Sequence, residues 1–122
     1  MAYNVLFPVK IVSNGDMSST ITSGVTEIRN QDNVGIQLNW TGAPVGSFSV
    51  QISIDHAQDS LGNVTVPGNW TSLALSPPIT AAGTPDTAYI DLNQMSASYI
   101  RVVYTAGSGS GTLNAFITAK GV

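Results

Sequence analysis

Between Gly35 and Asp55 the chain alternates apolar and polar residues in two consecutive runs. Ile36, Leu38 and Trp40 are set against Gln37, Asn39 and Thr41, and Phe48, Val50, Ile52 and Ile54 against Ser49, Gln51, Ser53 and Asp55. A period of two puts one face of each run in a core and the other in water. The intervening Gly42-Ala43-Pro44-Val45-Gly46 has the composition and length of a hairpin loop. The stretch is expected to form a β-hairpin at the centre of the fold.

The flanking sequence extends this pattern. Tyr3, Val5, Phe7, Val9 and Ile11 alternate through a first strand. Pro8 cannot donate a ladder hydrogen bond, which makes residues 1–15 an edge strand or arm and leaves residues 16–122 as the sandwich domain. Ser13-Asn14-Gly15-Asp16 reads as a turn, and Thr20 to Arg29 as a second β stretch bent at Gly24. His56 to Asn69 contains Gly62, Pro67 and Gly68 around a short Val64-Thr65-Val66 run, a long loop with a small strand inside it. Trp70 to Leu75, Ile79 to Ala82 and Thr87 to Leu92 are further strands, the middle one short and edge-like; Asn93 to Ala97 has room for one helical turn.

Tyr99 to Thr105 is apolar on both faces, with Ile100, Val102 and Tyr104 on one and Tyr99 and Val103 on the other. That suits a central strand, or one whose outer face meets a neighbour. After a flexible Gly107–Gly111 loop, Thr112 to Lys120 places Leu113, Ala115, Ile117 and Ala119 on one side and Phe116 on the other. About eight or nine short strands without helical periodicity predict an all-β, antiparallel two-sheet β-sandwich. Periodicity does not separate a jelly roll from an immunoglobulin-like key; the jelly-roll-like arrangement is the expectation.

Composition narrows the function. At 122 residues the chain is one domain. Only 9% of residues are charged, against roughly 25% in an average domain. Lys10, Arg29, Arg101 and Lys120 are its only basic residues, they are scattered, and the net charge is −3. No basic cluster is available for phosphates or anionic lipid, so neither nucleic acid nor a membrane surface is an expected partner. There is no cysteine for a disulfide, thiolate metal site or thiol nucleophile. Met1 to Phe7 lacks the basic and long apolar regions of a signal peptide, so synthesis in a cytoplasm is expected. A surface built from Ser, Thr, Asn and Gln suits a contact face buried in an assembly, where charge is depleted; a neutral exposed β surface is the other explanation.

Candidate chemistry is sparse. The single histidine lies in Asp55-His56-Ala57-Gln58-Asp59, which lacks the separated ligands of a zinc site and the graded oxygen ligands of a calcium loop. It reads as a solvated loop tip. No serine sits on a nucleophile-type turn, and the acidic residues fall mostly at turns and strand ends. No catalytic, cofactor-binding or metal residues are assigned, and the protein is not expected to be an enzyme. Trp40 reads as core. Trp70 and Tyr89 are candidates for a sugar-stacking platform, and Tyr89, Tyr99 and Phe116 for an apolar patch on non-core faces.

Four segments, Gly35 to Gln51, Trp70-Thr71-Ser72-Leu73, Tyr99-Ile100-Arg101-Val102-Val103-Tyr104 and Gly111 to Lys120, occur in an order that resembles the small β-sandwich virion structural proteins of tailed bacteriophages. The resemblance covers roughly residues 16–120; the 56–68 loop is longer than the group's pattern. It implies a capsid decoration or cement protein on the outer capsid surface, made in the host cytoplasm, partnering the major capsid protein and itself as a homotrimer. Three contact regions follow as expectations: Tyr3, Val5 and Phe7 of the N-terminal segment; Tyr99 and Val103 with Phe116 as an oligomer interface; and the 56–69 loop. The alternative is a carbohydrate-binding module of a tail fibre or other receptor-binding structure, with Trp70 and Tyr89 as its platform.

Overall fold

The computed structural model describes residues 5–28, 31, 33–73, 75, 78–92 and 97–120. Among them are twelve strand segments: β1 (Val5–Asp16), β2 (Ile21–Thr22), β3 (Thr26–Glu27), β4 (Asn33–Gly42), β5 (Val45–Ser53), β6 (Ala57–Gln58), β7 (Val64–Val66), β8 (Thr71–Leu73), β9 (Ile79–Ala82), β10 (Asp86–Leu92), β11 (Tyr99–Ser108) and β12 (Gly111–Lys120). The first sheet has the order β1-β12-β4-β10. The second runs β2-β11-β5-β8, with β3 also on β11 and β9 also on β5. β6 and β7 form a separate small hairpin. The helical turn expected over Asn93 to Ala97 falls mostly outside the described residues.

β2 and β3 are two pieces of one strand along β11, broken around Gly24, whose amide donates to the Ile11 carbonyl at 3.1 Å. β8 and β9 likewise share the far side of β5. Counting each broken pair once and setting the hairpin aside gives eight strands in orders 1-8-3-6 and 2-7-4-5. This is the jelly-roll arrangement.

The expected central hairpin is corrected. β4 lies in the first sheet between β12 and β10, whereas β5 lies in the second beside β11. Residues 42–46 therefore cross between layers. Alternation shows only that each strand has one core face; strands opposed across a core give the same pattern as strands paired in one sheet. The Gly107–Gly111 segment is also a packed crossing rather than a free loop. It lies against the first crossing, with Ala43 N donating to Ser110 O at 2.8 Å and Gly111 in register with Gly42. Gly109, at φ +73°, passes so close to the Ala43 carbonyl that a β-carbon there would collide with it.

The core fills the space between these four long strands. Ile36, Leu38 and Trp40 of β4 and Leu113, Ala115 and Ile117 of β12 face Phe48 and Val50 of β5 and Ile100, Val102 and Tyr104 of β11. Trp40 meets Phe48 across the layers at 5.1 Å between centroids, and Phe48 meets Tyr104, its cross-strand partner in the second sheet, at 4.9 Å. Trp40 is core as expected, and its Nε1 donates to the Thr84 carbonyl at 3.0 Å, so the indole is buried without an orphaned donor. β1 is the edge strand that Pro8 suggested. Its pairing with β12 slips three times, between Leu6 and Val9, Lys10 and Val12, and Val12 and Gly15. Such irregularity blunts an edge against pairing with another chain.

Candidate functional site

Two surface features stand out from this scaffold, one on each outer face. On the second sheet, residues 54–70 fold back over the strands. Asp55 anchors the return: its carboxylate accepts from Asn69 N at 2.8 Å, Asn69 Nδ2 at 2.9 Å and Ser53 Oγ at 3.0 Å. These bonds, led by the one from the Asn69 backbone, hold the carboxyl below its ordinary value of 3.8. His56 follows with its amide on Ser53 Oγ at 3.0 Å and its Nδ1 2.9 Å from the Pro67 carbonyl. Its ring meets Tyr99 edge-on at 4.8 Å and Trp70 at 5.2 Å. Arg101 lies 4.2 Å over the Trp70 ring while its Nε donates to Gln51 at 2.8 Å, and Tyr99 Oη donates to Glu27 at 3.0 Å. The result is a stack, Arg101–Trp70–His56–Tyr99, that pins the base of the segment to the sheet.

Beyond that base the β6–β7 hairpin projects. Asp59 shapes its turn by accepting from the amides of Leu61 and Asn63, each at 2.9 Å. The Asn63 backbone bond is the main reason its carboxyl is held low. The projection presents aliphatic side chains to solvent: Leu61 is 85% exposed, Val64 54% and Val66 47%, with Ile54 at 73% beside the base.

This geometry corrects two placements. His56 is not a solvated tip; it is 4% exposed, and its Nε2 is buried with no partner among the described residues. Tyr99 is 2% exposed, covered by its own chain rather than open to a neighbour. The apolar character of both faces of β11 reflects a central strand whose outer face is roofed by a loop. Val103 is half-buried on that face. Trp70 is half-buried and sandwiched between Arg101 and His56.

The other feature lies on the outer face of the first sheet. The register sets Lys10, Phe116, Gln37 and Tyr89 in one row across β1, β12, β4 and β10. Phe116 is half-buried, with the Lys10 ammonium 5.6 Å from its ring centre, and Tyr89 is 64% exposed. The tyrosine leans along β4 onto Gly35: a β-carbon there would lie 2.7 Å from Tyr89 Oη and 3.2 Å from Cε1. Concavities flank the ring. One of about 430 Å³ is lined by Asn33, Gly35, Asp91, Thr118 and Lys120, among others, and one of about 120 Å³ by Pro8, Gln37 and Phe116. Alternation places Tyr89 and Phe116 off the core, and the signal it does not use is Gly35, since glycine inside a strand marks a close approach.

The expected groupings divide between the faces. Tyr99 and Val103 belong to the second sheet and Phe116 to the first; Trp70 and Tyr89 are likewise on opposite sides of the sandwich and do not form one platform. Alternation distinguishes core from non-core but not which outer face a residue joins. Tyr3 lies outside the described residues, as do the side chains of Val5 and Phe7. Among the described residues no three His, Cys, Asp or Glu side chains gather to hold a metal ion.

No family model matches the chain, and no curated protein does. Solved structures do. The chain is similar to a chitosan-binding module of a chitosanase/glucanase from Paenibacillus sp. IK-5, at 21% identity over 90% of this chain and 74% of that one, TM-score 0.49. It is similar to the SPBc2 prophage-derived protein YomS at 10% identity over 97% and 96%, TM-score 0.45. A subunit of the icosahedral particle of infectious bursal disease virus aligns at 14% identity, TM-score 0.52, over 96% of this chain but 31% of its own length. That last likeness establishes the β-sandwich fold and nothing finer.

Proposed function

We propose that this protein is a non-catalytic structural protein of a bacteriophage virion, a decoration or cement protein that binds between capsomers on the outside of the head. The observation that carries the reading is the β6–β7 projection. Exposed Leu61, Val64 and Val66 crown a hairpin whose base is fixed by the His56 stack and the Asp55 carboxylate. Exposed aliphatics on a chain with only 9% charged residues suit insertion between protein surfaces. The rigid base limits the ordering entropy lost on docking. The partner is the major capsid protein, with the chain itself as a homotrimer at a symmetry axis. Contacts repeated over a shell then add by avidity.

Co-sedimentation with purified head shells tests the contact. Wild-type protein is expected to pellet with shells, and the pair L61S and V64S together to weaken that association at least tenfold without altering the circular dichroism spectrum. Unchanged pelleting of the double variant would remove the projection from the interface.

A further inference from the structure

We propose that the outer face of the first sheet carries a binding site for a neutral oligosaccharide, centred on Tyr89 and independent of the capsid contact assigned to the opposite face. Three observations converge on this ligand class. First, an aromatic ring that is 64% exposed is nevertheless held in place, because Gly35 lets it lean on the β4 backbone where any side chain would collide with it. An exposed, oriented ring offers an apolar face to the C–H face of a sugar at little cost in side-chain entropy.

Second, the larger concavity beside the ring is bordered by an amide, a carboxylate, a hydroxyl and an ammonium, from Asn33, Asp91, Thr118 and Lys120. Sugar hydroxyls both donate and accept, and this set answers both roles. At this concavity one carboxylate and one ammonium cancel, which leaves no net charge there to recruit an anion such as a phosphate. Third, Phe116 lies two strands from Tyr89 with Gln37 between them, a span of about 9–10 Å at the normal strand spacing. The smaller concavity joins the two rings. Two apolar surfaces at that separation, with an amide between, suit two or more linked sugar rings rather than one. The limited apolar area, two rings amid amides and hydroxyls, does not resemble the apolar core of a protein interface.

The test uses the full chain against neutral hexasaccharides (cellohexaose, maltohexaose and chitohexaose) by NMR titration, together with a printed array of bacterial surface glycans. At least one probe is expected to bind with micromolar to millimolar Kd and to shift the amides of residues 33–37, 88–91 and 116–118. Y89A should weaken binding at least tenfold. G35V, which displaces the ring without removing it, should do the same. S49A, on the opposite sheet, should leave binding unchanged. The proposal is overturned if no probe binds, if Y89A binds as wild type does, or if the shifts cluster on the second sheet. Each variant's fold is checked by its amide spectrum, and because Y89A and G35V perturb the site differently, a folding defect in one leaves the other to decide. Shell co-sedimentation should be unaffected by Y89A, which separates failure of this site from failure of the capsid contact.

Discussion

Replacing His56 with alanine isolates the device that holds the projection to the sheet. The imidazole contributes one hydrogen bond, Nδ1 to the Pro67 carbonyl at 2.9 Å, and two ring contacts, to Tyr99 at 4.8 Å and Trp70 at 5.2 Å. A hydrogen bond of this kind contributes about 0.5–1.5 kcal/mol net. Each aromatic pair adds about 0.5–1.5 kcal/mol beyond area burial. The sum, roughly 1.5–4.5 kcal/mol, applies first to the projection, because the sandwich core is built from other residues. Opening the segment should therefore become about ten- to a thousandfold easier, at 1.4 kcal/mol per factor of ten. Hydrogen exchange reads this directly at the amides of Asp59, Gly62 and Asn69, which are bonded within the segment. Amides in β4, β5, β11 and β12 should slow-exchange nearly as before. H56F, which keeps a ring but loses the Pro67 bond, should show a smaller effect, and the difference measures the bond. Unchanged exchange at all three reporter amides in H56A would refute the assignment of His56 as the clasp.

Two other outcomes follow from the same geometry. The Asp55 and Asp59 carboxyls are held below their ordinary value of 3.8 by bonds from Asn69 and Asn63, so their contribution is complete above that value and lost as pH falls through the lower folded value. The amide shifts of Asn69 and Asn63 should follow this titration below about pH 3.8, D55N should abolish it at Asn69, and a midpoint at or above the ordinary value would contradict the bonds. The Tyr104 hydroxyl is buried with no partner among the described residues, and burial pushes its phenol up from 10.0. Y104F keeps the contact with Phe48 and removes an uncompensated polar group, so urea unfolding should show equal stability or a gain of about 1 kcal/mol; a loss of similar size would reveal a bond to that hydroxyl.

Much of the architecture could be read from residue order, because each long strand states its own inward face. Ile36, Leu38 and Trp40 are buried where alternation put them, and Pro8 marked an edge. What could not be read was which strand faces which. The 42–46 crossing and a true hairpin share glycines, a proline and a length, and only long-range pairing with β12 and β11 decides between them. The same limit divided the candidate site. Alternation sets Tyr99, Phe116 and Tyr89 off the core, but periodicity carries no information about which outer face each joins, and Trp70, just after a loop, has no alternation to place it. His56 was harder still. A polar residue between two aspartates resembles a loop tip, and its burial depends on Trp70 and Tyr99, 14 and 43 positions later in the chain.

The proposed role is to grip neighbouring proteins in a virion. Its most direct measurement is an averaged electron cryo-microscopy map of purified particles carrying this protein, with its abundance counted by mass spectrometry. Symmetry-related β-sandwich density is expected on the outer surface of the head, with the β6–β7 projection directed into a junction between capsomers. Particles without the chain, or density confined to the tail, would contradict it.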